Sequence, residues 1–364
     1  MVKSNILGNN KHILIIQLGD IGDVIWTIPT LKAVKTACPD VYLSVLLREH
    51  FGDLLREQPY LNKIFEVSRY RGNIFHKFMR QMQFINSLRE VKFDIVIDLR
   101  SGDRGAIVAY LTGAPVRVSQ YYSGVPFWRN AVFTHLLHPP LMKIRGAADQ
   151  SLRIVRELGI DSTDTVPRLW ISNKRKARAR EILCNQGISD SLQFISVNPF
   201  SRWSYKEWSY DKWRDLIKWL WVEYGFSVVV VGAEEERSKA TMFLKDYEGT
   251  VFNLAGMTNL GELSGILSLS ALHVGVDSAA PHIAAAVGTP TVTIYGPSDW
   301  YDWAPVGDMH RVVLPDLECV PCQKKGCDGK GWSRCLEELT VTRVKKVIQE
   351  SLEENLGSRI GYQK

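Results

Sequence analysis

Apolar positions along this chain fall into short runs separated by stretches of helical period. In the first half, runs at 13–17, 41–47, 63–67, 95–98 and 116–118 have the length and the Val/Ile/Leu content of buried strands. Between them, 25–36, 75–90, 105–111 and 147–158 repeat apolar residues every three to four positions, which predicts amphipathic helices. The second half repeats the alternation, with strands predicted over 194–198, 227–232, 251–253, 272–275 and 291–295. Its helices are predicted over 174–186, 211–224, 260–267, 281–287 and 341–354. Strands that alternate with helices argue for parallel sheets covered on both faces. The turn formers at 159–167, GIDSTDTVP, read as a linker. The expectation is an α/β chain of two doubly wound, Rossmann-like domains facing across a cleft, 1–165 and 166–345, with a helix end and tail over 346–364.

In such sheets ligands bind outside the carboxyl ends of the strands, so the loops after each strand are the place to search. The first, LGDIGD at 18–23, has glycines but neither the G-x-G-x-x-G spacing nor the lysine of a phosphate loop. It carries two acids instead, Asp20 and Asp23. Asp23 opens a helix, so it either satisfies backbone N–H groups there or faces a ligand. The second loop, NPFSRWSYKEW at 198–208, offers Ser201 and Arg202 as donors and Lys206 as a compact positive charge before a helix. Those are the parts of a diphosphate site, unless the loop is merely solvated. In the third, GAEEERSKA at 232–240, an acid can accept from ribose hydroxyls or simply favour the positive end of a helix. In the fourth, VGVDSAAPHIAAAVG at 274–288, Asp277, Ser278 and Pro281 are helix-start signals, the alanines permit close approach, and His282 falls in the first turn.

Three stretches, LGDIGDVIWTIPTLKAV, NPFSRWSYKEW and DSAAPHIAAAVGTPTVTIYGPSD, taken in this order and spacing, resemble the heptosyltransferases of lipopolysaccharide core synthesis, glycosyltransferase family 9. The similarity runs over about 13–348. The resemblance implies a GT-B fold, with a lipopolysaccharide inner-core precursor as acceptor on the first domain and ADP-L-glycero-β-D-manno-heptose as donor on the second. It implies an inverting, metal-independent transfer with no required cofactor, at the cytoplasmic face of the inner membrane. On this resemblance Asp23 is the base that deprotonates the acceptor hydroxyl, and Lys206 contacts the diphosphate beside Ser201 and Arg202. The helix after Asp277 adds backbone N–H groups near Ser278, Ala279 and His282. Glu236 is assigned to the ribose, and Met257 or Thr258 to the adenine. Asp20, Arg48, Arg100 and Arg104 follow first-domain strands and are assigned to the acceptor, ordinary surface arginines being the competing reading. Two departures stand out. Ser278-Ala279 replaces the commoner Thr-Gly, which costs conformational freedom if position 279 needs a positive φ. Ser209 stands where Pro commonly follows the tryptophan.

Charge and cysteines refine this. A net charge of +6 suits an anionic substrate or an anionic membrane surface, and no Lys/Arg cluster interleaved with aromatics points to nucleic acid. No apolar run reaches the roughly 18 residues of a membrane span, and the N-terminal stretch lacks a long secretory core, so a cytoplasmic protein with peripheral membrane contact is expected. Cys38 and Cys184 stand alone, whereas Cys319, Cys322, Cys327 and Cys335 are clustered. With Lys324, Lys325, Lys330 and Arg334 offsetting charge, four thiolates can hold a structural zinc or an iron–sulfur cluster; free thiols are the other reading. Rivals to the main reading are a GT-B transferase or epimerase for another nucleotide sugar, a noncatalytic binding protein, and a zinc-dependent nucleic-acid module. The last leaves both Rossmann-like halves unexplained.

Overall fold

The computed structural model describes residues 11–68, 73–138, 146–160, 162–189, 192–245, 247, 251–329 and 331–356. Lys330 of the cysteine segment lies outside them. The chain divides into two compact units, the break falling between Leu169 and Trp170.

The first unit is built on a six-stranded parallel sheet: β1 (His12–Ile16), β2 (Tyr42–Arg48), β3 (Lys63–Val67), β4 (Ile95–Asp98), β5 (Val116–Gln120) and β6 (His135–Leu137), in the order β3-β2-β1-β4-β5-β6. β1 lies at the centre because Ile13 to Ile16 are apolar on both faces and fully buried. Ile15 stands opposite Val45 on β2 and Ile97 on β4. Leu14, Ile16, Leu46 and Val96 form one face of the core with Ile85 and Leu88 of helix Ile74–Arg89 and Ala106 of helix Asp103–Leu111.

The second unit repeats the plan with β7 (Phe194–Asn198), β8 (Ser227–Val230), β9 (Val251–Asn253), β10 (Leu272–Val276), β11 (Thr291–Ile294) and β12 (His310–Val313), in the order β12-β11-β10-β7-β8-β9. Trp208 and Trp213, the latter on helix Tyr210–Tyr224, are buried against Val197, Val228 and Val274. Both units therefore have the doubly wound strand order, and in each the direction of winding reverses beside the first strand. That reversal lies between β1 and β4 in one unit and between β10 and β7 in the other.

β6 and β12 are additions to the sequence reading. Each is a short edge strand carrying His, and β12 also Arg, so neither presents the apolar run that marks a buried strand. The first helix, Ile21–Ala37, starts earlier than the apolar period suggested, because the chain turns directly from Asp20 into it.

Candidate active site

At the β1/β4 reversal point, β1 ends in a loop held by its own side chains. Gln17 accepts from Gly19 N at 3.0 Å and donates to Thr27 Oγ1 at 2.8 Å, and Thr27 donates to the Asp23 carbonyl at 2.8 Å. Asp23 sits in the first helical turn. One oxygen accepts from Asp20 N at 2.8 Å and the other from Arg100 Nη1 at 2.7 Å. The helix-capping reading and the site reading are thus both realised by one carboxylate, which is only 13% exposed. Burial pushes the Asp23 carboxyl above the usual aspartate range, and the Arg100 guanidinium and the Asp20 N–H pull the other way. Gly19 is required here by close approach. A Cβ at that position would stand 2.2 Å from the Asp23 carboxylate.

The other acceptor-side residues divide. Arg48 donates from Nε to the Leu18 carbonyl and from Nη1 to Asp20, both at 2.7 Å, so it braces the loop. Arg104 donates to the Ser68 carbonyl at 2.9 Å. Arg100, on the β4 exit, is the one of the three arginines that meets Asp23.

Behind Arg100 lies a fully buried ion pair that the apolar pattern did not reveal. Arg129 Nη2 stands 3.4 Å from Asp98 Oδ2, and both side chains are inaccessible to solvent. Arg129 also donates to the Arg100 carbonyl, to Ser119 Oγ at 3.0 Å and to the Gln120 carbonyl at 3.2 Å. Asp98 accepts from Arg100 N at 3.2 Å. Burial pushes the Asp98 carboxyl up to about 7 against the pull of Arg129. Together the pair pins the backbone that presents Arg100. The available signal was the acid closing the apolar strand Ile95–Asp98, since a carboxylate in a buried strand needs a partner.

The β10/β7 reversal point also holds an ion pair, here beside a helix N-terminus. Lys206 donates to Asp277 Oδ2 at 2.6 Å, both side chains being mostly buried. Ser201 Oγ contacts the Asp277 carbonyl at 3.4 Å. Ser278 precedes helix Ala279–Ala286 and donates to Asn198 Oδ1 at 2.7 Å, while Asn198 donates onward to the Val231 carbonyl at 2.8 Å. This chain of bonds ties the exits of β7, β8 and β10 together. Ala279 is the first residue of a regular helix and is not among the positive-φ positions, so alanine carries no backbone penalty there. His282 is buried in the same turn and its pKa falls to about 4, because burial outweighs the attraction of Asp277; it is a neutral imidazole at neutral pH.

Around this point, Arg202 lies over the Trp203 ring, with 5.4 Å from its guanidinium carbon to the ring centroid. Glu236 accepts from Ala233 N at 2.7 Å and so caps its own short turn, with burial raising its pKa. Met257 and Thr258 are half-buried in the loop after β9.

Cys319, Cys322, Cys327 and Cys335 line one pocket with Pro297 and Arg334. Among the described residues no group of three or more His, Cys, Asp or Glu side chains is arranged to hold a metal ion. Burial, with the neighbouring Cys319, Cys322 and Cys327, pushes the Cys335 thiol up to about 11.

The model for glycosyltransferase family 9 (heptosyltransferase) matches residues 81–333. The chain belongs to glycosyltransferase family 9. Among curated relatives, lipopolysaccharide heptosyltransferase 3 of Escherichia coli is 29% identical over 290 residues, 78% of this chain and 83% of its own length. Among solved structures, a family 9 glycosyl transferase from Veillonella parvula superposes with a TM-score of 0.79 at 22% identity, covering 95% of this chain and 98% of the other. The E. coli heptosyltransferase WaaC with ADP-2-deoxy-2-fluoro heptose gives 0.70 at 22% identity, covering 93% and 99%. The two six-stranded sheets are those of a GT-B glycosyltransferase. No helix among the described residues of this family 9 glycosyltransferase is long and apolar enough to cross a membrane.

Proposed function

We propose that this family 9 enzyme transfers heptose from ADP-L-glycero-β-D-manno-heptose to the inner core of lipopolysaccharide, with inversion and without a metal ion. One observation supports the reading: two copies of the same fold each hold a carboxylate–cation pair at their equivalent reversal points, Asp23 with Arg100 in the first and Lys206 with Asp277 in the second. The first presents a partly shielded carboxylate, Asp23, and the second a lysine and a helix N-terminus, Lys206 and Ala279. Inverting transfer needs both. Asp23 takes the proton of the acceptor hydroxyl as its oxygen attacks the anomeric carbon; both carboxylate oxygens keep a lone pair beyond the bonds from Asp20 N and Arg100. As the bond from the anomeric carbon to the diphosphate oxygen breaks, the electron pair leaves on ADP. Lys206 and the backbone N–H groups at the start of helix Ala279–Ala286 meet that charge, a task a metal ion performs elsewhere.

Ser201, Arg202 and Ser278 complete the diphosphate side, Glu236 takes the ribose, and Met257 or Thr258 neighbours the adenine. Arg100 and Arg104 meet anionic groups of the acceptor, and Asp20 and Arg48 shape the loop beneath it. The ADP-sugar complex of WaaC and the lipopolysaccharide heptosyltransferase names of the relatives support the choice of donor and acceptor. In this reading the enzyme works in the cytoplasm, at the membrane face that carries the acceptor.

ADP release tests it, with ADP-heptose against UDP- and GDP-sugars, with and without truncated lipopolysaccharide acceptors, before and after EDTA. Acceptor-dependent release from ADP-heptose that survives chelation is expected. Turnover only with another nucleotide sugar refutes the donor assignment.

A further inference from the structure

Helix Ile74–Arg89 is unlike the others of its unit. Its last turns are anchored by Ile85 and Leu88 in the core, but every residue from 73 to 83 is exposed. The exposed part is a well-made helix, since Asn73 caps it by accepting from His76 N at 2.9 Å. On it Ile74, Phe75, Phe78, Met79 and Met82 form one continuous apolar stripe, with Ile74 86% and Phe75 67% exposed. Lys77 and Arg80 lie on the opposite side of the helix. No acidic residue occurs from Asn73 to Arg89, whereas Lys77, Arg80 and Arg89 do. Ile107 and Tyr110 are also exposed, on helix Asp103–Leu111 of the same unit.

We infer that this helix docks the enzyme on an anionic phospholipid bilayer. An apolar stripe backed by Lys and Arg, on a helix too polar to span, is the pattern of a helix lying in the membrane interface. A solvated helix would show the charge without the exposed aromatics, and an acidic protein groove, the other partner such a helix fits, is separated by the lipid-only test below. The placement is also apt. All strands of this sheet are parallel, so the helix that follows β3 begins at the carboxyl edge, where the loop bearing Asp23 emerges. Docking by the first turns therefore brings that edge towards the bilayer. This use rests on the proposed lipid-borne acceptor, but the docking itself does not, and its test reads lipid alone.

The full chain is sedimented with vesicles of phosphatidylglycerol in phosphatidylcholine and with phosphatidylcholine alone, at low and high salt. Binding to the anionic vesicles, weakened by salt and near absent without phosphatidylglycerol, is expected. Lys77→Glu with Arg80→Glu should lower the partition coefficient at least about fivefold per charge, and Phe75→Ser with Phe78→Ser at least about tenfold. Val222→Ser, equally exposed on the second unit, should leave it unchanged. ADP release with a soluble, deacylated acceptor should stay at the parent value in all variants, which shows that they fold. Failure of the parent chain to bind anionic vesicles, or parent-like binding by either double variant, overturns the inference. So does a concentration-dependent dimer that Phe75→Ser with Phe78→Ser abolishes in the absence of any lipid binding.

Discussion

Replacing Gly19 with alanine probes the catalytic loop without touching the carboxylate's chemistry. Gly19 is not among the positive-φ glycines, so the added methyl is tolerated by the backbone, and what it meets is Asp23. The new Cβ would lie 2.2 Å from Asp23 Oδ2 and 2.6 Å from both its Cβ and its Cγ, where ordinary contact begins at 3.4 Å, so rotating the carboxylate alone does not relieve it. The carboxylate therefore has to retreat by about 1 Å, giving up the bond from Asp20 N. A misplacement of about 1 Å in a reacting group costs on the order of 10²-fold in rate. The lost hydrogen bond is on an exposed N–H and costs about 1 kcal/mol, to which the displacement of the first helical turn adds, so a thermal melt beside the kinetics establishes that the variant is folded. Steady-state kinetics should show kcat down by about two orders of magnitude with donor affinity preserved. Gly102→Ala is the control, because a Cβ there meets nothing within 4 Å. A Gly19→Ala enzyme with parental kcat would refute the claim that Asp23 is positioned for chemistry by this contact.

Three further outcomes are expected. Because Asp23 must be ionised to act and burial raises its pKa, the acid limb of kcat/KM should lie above that of an ordinary aspartate, with activity full above the limb and lost as pH falls through it. Arg100→Gln should move that limb further up, since the guanidinium opposes the effect of burial; an unmoved limb contradicts the assignment. Lys206→Ala should weaken ADP-heptose binding and turnover together, measured by donor titration and kcat, because in its proposed role the lysine meets diphosphate in both ground and transition states. Arg129→Met leaves Asp98 buried without its partner and should cost about 3–5 kcal/mol of stability in urea unfolding, with Asp98→Leu in the same chain recovering part of the loss.

How much of this could be read beforehand differs by level. Central strands such as Ile95–Asp98 and Phe194–Asn198 were legible because a strand buried on both faces must be apolar throughout. β6 and β12 were not, because an edge strand needs no such run. Asp23, Lys206 and Ser278 were legible because they follow strands, and the doubly wound order puts those loops at the reversal points. The roles of Arg48 and Arg100 could not be separated in sequence: both follow strands, and which one reaches Asp20 and which Asp23 depends on neighbours nearly 30 and 77 residues away. Arg129 was hidden further, in a short helix, Phe127–Ala131, whose polar content looks like surface. His282 was placed in the right turn, but its protonation was not legible, since only the packing around it shows how strongly burial acts. The four cysteines show the converse, a suggestive spacing whose thiols share a pocket without forming a cage.

The most direct test of the account is Asp23→Asn, followed by donor affinity and single-turnover transfer from ADP-heptose to acceptor. Asparagine keeps the shape and can still accept from Asp20 N, but it cannot take a proton. The account predicts unchanged binding of ADP-heptose and a transfer rate lower by about 10²–10⁴-fold at every pH. Transfer at the parental rate by the folded, donor-binding variant would contradict it.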